Sequence, residues 1–433
     1  MVWFFYNILF SIGFLLMLPH FFKRMKRRGG YWRDFWQRLS WYDPSLKARL
    51  KEGGRIWVHA VSVGELFVAF RFMDEIRSRR PGTKFVLTTT TSTGHALAEK
   101  RLMRPDILLY FPVDFPLIMK RVLRLIAPKA LVLIECELWP NLIRLAKRQG
   151  VPVMLINGRI SDHSYRGYRK LRAFTRRILP MVDLLCVQSE ADRRRLLDLG
   201  AKPEPMHVLS SAKYDMVPPG ADGREKAQAV LKSAGISDDQ IILLGGSTWP
   251  GEEAVLLDIY TELRKAHPDL MLVLVPRHFE RSPEVVQEME KRGLKFVRRT
   301  EIGEGTPPAG KPDVLLIDTT GELMNFYACA TVIFVGKSLF EHGGQNVIEP
   351  AIYSKAIVVG PNMENFSVVM EDFLSENALV QVADAAGLKK AIEELIALPA
   401  QRAEMGARAG RVVQAKAGAV AKTVDLAQSY LLK

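Results

Sequence analysis

Three cysteines in 433 residues are too few and too scattered for a disulfide framework or a zinc cluster. Cys136, Cys186 and Cys329 each stand in an apolar or strand-like context, the setting of reduced, buried thiols. The eight histidines show no H-x-x-x-H pairing, so no structural metal is expected. No D-x-D sequence occurs, which removes one common sign of divalent-metal binding to a nucleotide sugar. Short-period repeats and low-complexity segments are missing too, so a repeat array is not expected.

Formal charge is absent from the start of the chain. Val2 to Phe22 reads VWFFYNILFSIGFLLMLPHFF, about the ~20 residues a helix needs to cross a bilayer. It lacks the basic start and the A-x-A site of a cleavable signal peptide, so residues 1–22 are expected to stay as a membrane anchor. Lys23-Arg-Met-Lys-Arg-Arg28 then places positive charge downstream, which leaves the large remainder at the cytoplasmic face. Tyr31, Trp32, Phe35, Trp36 and Trp41 make 23–50 a basic, aromatic, membrane-proximal segment. Asn7 and Pro19 keep open a rival in which the helix lies in the interface instead of spanning.

What the chain has in quantity is apolar material and positive charge. Its length exceeds what one core sustains, and its net charge of +14 calls for an acidic partner: nucleic acid, an anionic membrane or a phosphorylated substrate. After residue 50 short apolar runs alternate with amphipathic segments, the pattern of parallel sheets covered by helices. Strands are expected at 55–61, 84–90, 107–111, 130–134, 152–156, 184–188 and 206–209, then at 241–245, 270–275, 295–298, 314–318, 331–335, 356–359 and 379–382. The stretch Val217-Pro-Pro-Gly-Ala-Asp-Gly223 has linker composition. This gives one Rossmann-like domain at 51–216, a linker at 217–225, a second such domain at 226–405 and a C-terminal helical segment at 406–433.

Two doubly wound domains bring functional residues to strand ends along one cleft. Glu65 follows Gly64 at a strand-to-helix turn, where a carboxylate serves either as a general base or as a complement to the helix dipole. Glu135 and Glu137 share one strand face if the extension persists, forming an acidic site or pairing with a basic side chain. Arg277 at a strand end suits a phosphate, with a surface salt bridge as its alternative. In FEHGGQNVIEPA, 340–351, Gly343 and Gly344 allow close backbone approach before a helix start that attracts anions, or are simply a turn feeding a packed helix. The run YRGYRKLRAFTRR, 165–177, fits an anionic headgroup or a solvated helix face.

The stretches HAVSVGE (59–65), ECELWPNLI (135–143), SSAKYD (210–215), VPRHFER (275–281), DTTGELMNFYACA (318–330) and EHGGQNVIEPA (341–351) together resemble the Kdo (3-deoxy-D-manno-octulosonic acid) transferases of lipopolysaccharide assembly. The resemblance runs through almost the whole chain. It departs at Gln345, Lys337 and Trp249, where the family usually has His, often Gly and often His. It implies a GT-B fold, CMP-Kdo as donor, a lipid A precursor of the lipid IVA type as acceptor, inner-membrane attachment, and inverting transfer without metal or cofactor. Carried over by position, Glu65 would be the catalytic base and Glu135 and Glu137 would line the acceptor side. Lys213, Arg277, Gly343, Gly344, Asn346 and Glu349 would bind the donor. The alternatives are a GT-B transferase using a UDP-sugar on another lipid and, in a different class, a membrane-anchored nucleic-acid binder. The latter lacks any RRM, KH or helix-turn-helix signature. Oligomeric state and the number of Kdo units added are left open by the sequence.

Overall fold

Val-, Ile- and Leu-rich runs without polar alternation form strands buried on both faces. In the computed structural model, which describes residues 2–28, 34–215, 223–303 and 310–431, fourteen strands build two parallel sheets, the central ones of this kind and the edge strands shorter and partly exposed. The first holds β1 (Arg55–Ala60), β2 (Lys84–Thr89), β3 (Ile107–Tyr110), β4 (Ala130–Ile134), β5 (Val153–Gly158), β6 (Leu184–Val187) and β7 (Met206–Val208), in the order β3-β2-β1-β4-β5-β6-β7. Alternate residues feed opposite faces. Trp57, Leu131, Leu133, Val153 and Leu155 enter one core, and Ile56, Val58, Val132, Ile134 and Met154 enter the other.

The second sheet holds β8 (Ile241–Thr248), β9 (Leu270–Pro276), β10 (Phe296–Arg298), β11 (Val314–Leu316), β12 (Val332–Val335), β13 (Ala356–Val359) and β14 (Val380–Gln381), in the order β10-β11-β9-β8-β12-β13-β14. Every expected strand is present; the largest difference is β8, expected to end at Gly245, which continues to Thr248. In each sheet the direction of winding reverses beside the first strand, between β1 and β4 and between β8 and β12. Ligands of doubly wound sheets bind beyond the strand ends at such switch points.

The chain divides into unit 1, Met1–Met216 with Gly418–Lys433, and unit 2, Val217–Ala417. Most of the linker expected at 217–225 lies outside the described residues, and from Gly223 the chain is already helical (Gly223–Ser233). Tyr31 and Trp32 lie outside them as well. The segment 406–433 is not one helical piece. A helix over Pro399–Lys416 belongs to unit 2, the chain turns at Gly418 (φ 90°), and Ala419–Leu431 packs on unit 1. The cause is an apolar stripe, Val420, Val424, Ala427 and Leu431, that completes one core of unit 1. Asp215 anchors its start by accepting from the N–H groups of Gly418 (2.5 Å) and Val420 (2.7 Å).

The N-terminal helix, Val2–Arg28, has mean hydropathy 1.8 over Val2–Pro19. One flank docks on unit 1: Tyr6 Oη donates to Asp114 Oδ2 (2.9 Å), Asn141 Nδ2 donates to Asn7 Oδ1 (2.8 Å), and Phe10 and Phe14 meet Phe115 edge-on. Asn7 is therefore a docking group. The other flank exposes Phe5, Ile8, Ile12, Leu15 and Leu16. Asp114 is the hub of this contact. Fully buried, it also accepts from the N–H groups of Asn141 and Leu142 (both 2.9 Å), capping the helix Pro140–Arg148, whose own N-cap position, Trp139, offers no side-chain cap. Asp114→Ala orphans three donors at once, each costing about 1–3 kcal/mol when left unpaired in the interior. The expected result in thermal or urea unfolding is a loss of at least about 3 kcal/mol from unit 1, together with faster proteolytic removal of the N-terminal helix.

Candidate active site

Beyond the switch point of unit 1, Glu65 sits in the first turn of the helix Val63–Arg79, buried to 6% exposure. Ser62 caps the helix by accepting from the Glu65 N–H (3.3 Å). The Glu65 carboxylate in turn accepts from the N–H groups of Val61 (2.8 Å) and Ser62 (3.2 Å). This is a capping box. With the Ser62 hydroxyl, which also bonds the carboxylate, it uses three of the roughly four lone-pair positions, so one remains for another proton donor. Burial raises the pKa of Glu65, opposed by the same backbone N–H groups.

Glu135 and Glu137 do not share a strand face. The extension stops at Ile134, and Glu135 adopts φ 57°, a left-handed conformation costing about 1 kcal/mol for a residue with a Cβ, held by its N–H bond to the Ile156 carbonyl. The three carboxylates nonetheless interact. Burial and then the charge of Glu65 raise the pKa of Glu135, and burial with Glu65 and Glu135 pushes Glu137 up to about 7. Lys213 and Arg159 supply the countercharge that stabilises ionised Glu135. Lys213, expected on the donor side, belongs to unit 1. It lies in the turn Ala212–Asp215, where burial first and then the charge of Arg159 push it down to about 8. The sequence reading missed Arg159, although its place directly after β5 was a usable signal. His59 is a wall of this region: fully buried, stacked on Phe111 at 3.9 Å, and pushed by burial down to about 3, so it is neutral at physiological pH.

In unit 2 the overlooked residue is Glu252, first residue of the helix Glu252–Leu263. Its buried carboxylate accepts from the N–H groups of Trp249 and Lys337 (both 2.8 Å) and of Ser338 and Leu339 (both 3.0 Å). It thus fastens the loop after β12 to the loop after β8. Gly336 is required there, since a Cβ would come within 2.7 Å of the Glu252 carboxylate and closer still to the backbone of Ser247 and Thr248. Two of the three departures from the family pattern are partners: the Lys337 ammonium lies 4.6 Å from the centroid of the Trp249 ring. Trp249 also meets His278 edge-on at 5.5 Å.

Gly343 and Gly344 adopt φ 109° and 68°, and a Cβ on either would collide with Asn365 or Met363. Their N–H groups donate to Glu364 Oε2 (2.7 Å) and to the Lys337 carbonyl (3.0 Å). They are committed inside the fold, and the helix that follows, Ile348–Ile352, has only five residues. Both glycine N–H groups thus have acceptors within unit 2, and protein side chains occupy the Asn365 and Met363 side of the turn. Asn346 and Glu349 do come together, Nδ2 to Oε1 at 3.2 Å, and the charge of Arg277 opposes the burial that raises the pKa of Glu349.

Residues 33–216 match the family model described as 3-Deoxy-D-manno-octulosonic-acid transferase (kdotransferase). A 3-deoxy-D-manno-octulosonic acid transferase of Bordetella pertussis is 34% identical over 418 residues, 94% of this chain and 95% of its own. A solved glycosyltransferase from Rickettsia africae is similar over 87% of this chain and 99% of its own, with TM-score 0.55 at 11% identity. UDP-GlcNAc 2-epimerase from Neisseria meningitidis is similar over 87% and 100%, with TM-score 0.58 at 14% identity. These two structures share the GT-B-like fold, and because one is an epimerase the fold alone does not select a reaction. Sequence similarity along nearly the full length does select a family: the chain belongs to the 3-deoxy-D-manno-octulosonic acid transferases, glycosyltransferases of lipopolysaccharide biosynthesis.

Proposed function

We propose that the protein transfers Kdo from CMP-Kdo to a lipid A precursor, with inversion, at the cytoplasmic face of the inner membrane. The observation that supports this reading is the cluster of Glu65, Glu135 and Glu137 at the switch point of unit 1, in a chain of this family. In the proposed step the acceptor hydroxyl oxygen attacks the anomeric carbon of Kdo. Its proton passes to Glu65, and CMP departs with the electron pair of the broken bond. Glu135 and Glu137 orient the acceptor. Arg277 and Lys337 meet the negative charge of the phosphate beside the Gly343-Gly344 turn, with Asn346 near the phosphate and Glu349 at the ribose hydroxyls. The domain limits at 51–216 and 226–405 serve as acceptor and donor halves in this reading, with Lys213 supporting the acceptor half through Glu135.

The direct test is to incubate the purified protein with a tetra-acylated lipid A precursor and CMP-Kdo generated in situ, then weigh the product. A mass gain of one or more Kdo units is expected. Gain from a UDP-sugar instead would overturn the donor assignment.

For the base, Glu65→Gln is expected to lower turnover roughly 10²–10⁴-fold. The amide oxygen can accept from only one of the two N–H groups that the carboxylate holds, so a stability loss of about 1–3 kcal/mol accompanies it. Rates must therefore be read well below the melting temperature, where a capping defect alone leaves turnover near wild type. The pH profile separates the roles further. A base works ionised, so with Glu65 raised by burial the acid limb of kcat/KM lies above the ordinary glutamate range near ~4.3. Because the charge of Glu65 raises the pKa of Glu137, Glu65→Gln should also lower the Glu137 pKa from about 7, read by carboxyl NMR titration.

On the donor side, Glu349→Ala is expected to weaken CMP binding by about 1.5–3 kcal/mol in calorimetry, the range for a hydrogen bond to a charged group. Wild-type affinity in a folded variant removes Glu349 from the nucleotide site.

A further inference from the structure

A cavity of about 560 Å³ lies between the N-terminal helix and the body of unit 1. Phe10, Phe14 and Leu18 of the helix face Phe35, Phe111 and Trp139 across it. The polar groups at its wall are few: Arg38 donates through Nη2 to the Thr90 carbonyl (2.8 Å), and Asp114 is the docking hub already described. Its inner end reaches the back of the carboxylate cluster. Phe111 stacks on His59 and meets Trp139 at 4.8 Å, and Trp139 follows Glu137 by two residues.

We propose that this cavity holds one acyl chain of the lipid acceptor; the identity of that lipid rests on the function proposed above, whereas the cavity itself does not. Three observations favour an acyl chain over a soluble apolar ligand. Leu9 and Met17 line the cavity and are also 65% and 61% exposed, so its mouth is continuous with the apolar outer flank of the helix. Trp36 and Trp41, the former directly beside Phe35, are exposed as aromatic side chains are at a headgroup interface. Positive charge stands at both ends of the apolar stretch. Lys23–Arg28 follows it in sequence, and at the other end Phe174 packs on Trp3 and Tyr6, carrying with it the exposed Arg166, Arg169 and Lys170 of the 165–177 run. A helix docked along its flank, with cations at both ends, lies in the headgroup plane and presents the cavity mouth to the hydrocarbon.

Gly13 provides a clean probe. It lines the cavity in mid-helix, and a Cβ added there meets nothing within 4 Å, so the Leu of Gly13→Leu starts into open space and favours the helix. Full-length protein is placed on phosphatidylethanolamine/phosphatidylglycerol vesicles. The vesicles contain a tetra-acylated glucosamine disaccharide bisphosphate bearing a diazirine near the end of one chain; the sample is irradiated and the adducts are mapped. Wild type is expected to be labelled at Phe111, Val113 or Trp139 as well as on the outer flank at Leu15 and Leu16. Gly13→Leu should lose about tenfold of the inner labelling while keeping the outer. In transfer assays the same variant should raise KM for the tetra-acylated acceptor about tenfold, with little change for the deacylated disaccharide and none in CMP affinity. Labelling confined to the outer flank in wild type, inner labelling unaffected by Gly13→Leu, or equal inner labelling by a diazirine phosphatidylglycerol overturns the assignment. Inner labelling that disappears in Gly13→Leu, in a protein that transfers no Kdo, upholds the cavity and overturns the proposed reaction instead.

Discussion

A buried carboxylate in the first turn of the first helix after the leading strand organises each unit. Glu65 draws in the N–H groups of Val61 and Ser62, and Glu252 draws in those of Trp249, Lys337, Ser338 and Leu339. Parallel strands end with backbone donors that no neighbouring strand satisfies, and burying them unpaired is costly. A single carboxylate resolves several at once and fixes the loop that carries the chemistry. The two sites differ in what they leave over. Glu252 is saturated, with each oxygen accepting two bonds, so it has no capacity for a substrate. Glu65 keeps room for one further donor. The same device is thus purely structural in one unit and available for proton transfer in the other.

The charges around these anchors are arranged differently too. Unit 1 gathers three carboxylates; the charge of Glu65 makes Glu135 and Glu137 harder to ionise, and Arg159 and Lys213 temper this at Glu135 without abolishing it. Such a coupled set gives up its protons as a group, so its titration belongs to the cluster and not to any one residue. Unit 2 sets Arg277 against Glu349, a carboxylate already bonded by Asn346. The contact of Lys337 with Trp249 shows how one chain leaves the pattern of its family at two positions together: an ammonium introduced where a glycine is common is steadied by the indole that stands where a histidine is common.

The strands were readable because burial on both faces demands uninterrupted apolar runs, and Ala130–Ile134 and Ala356–Val359 match to the residue. Lateral order was not readable: β11 inserts between β9 and β10, and nothing in runs of three residues announces which neighbour they choose. Of the site, Glu65 was visible from its place after Gly64, and its two readings prove compatible, since capping leaves a lone pair spare. The disposition of Glu135 was not, because a left-handed residue directly after a strand has no composition signal unless it is Gly or Asn. The packing role of the glycine turn was hidden for a related reason. Gly343 and Gly344 are needed to let Met363 and Asn365 pack closely, a tertiary demand that looks in sequence like a ligand cradle.

The return of the last helix to unit 1 has a consequence for how the protein is made. Val420, Val424, Ala427 and Leu431 close a core whose other members, Val68 and Phe72 among them, leave the ribosome far earlier. All of Val217–Ala417 is translated in between, an interval of about 10–40 s at ~5–20 residues per second. Throughout it the N-terminal unit carries an uncovered apolar strip. The first unit to emerge is therefore the last to be finished, and the nascent chain has to be shielded on that strip until its final turn is released.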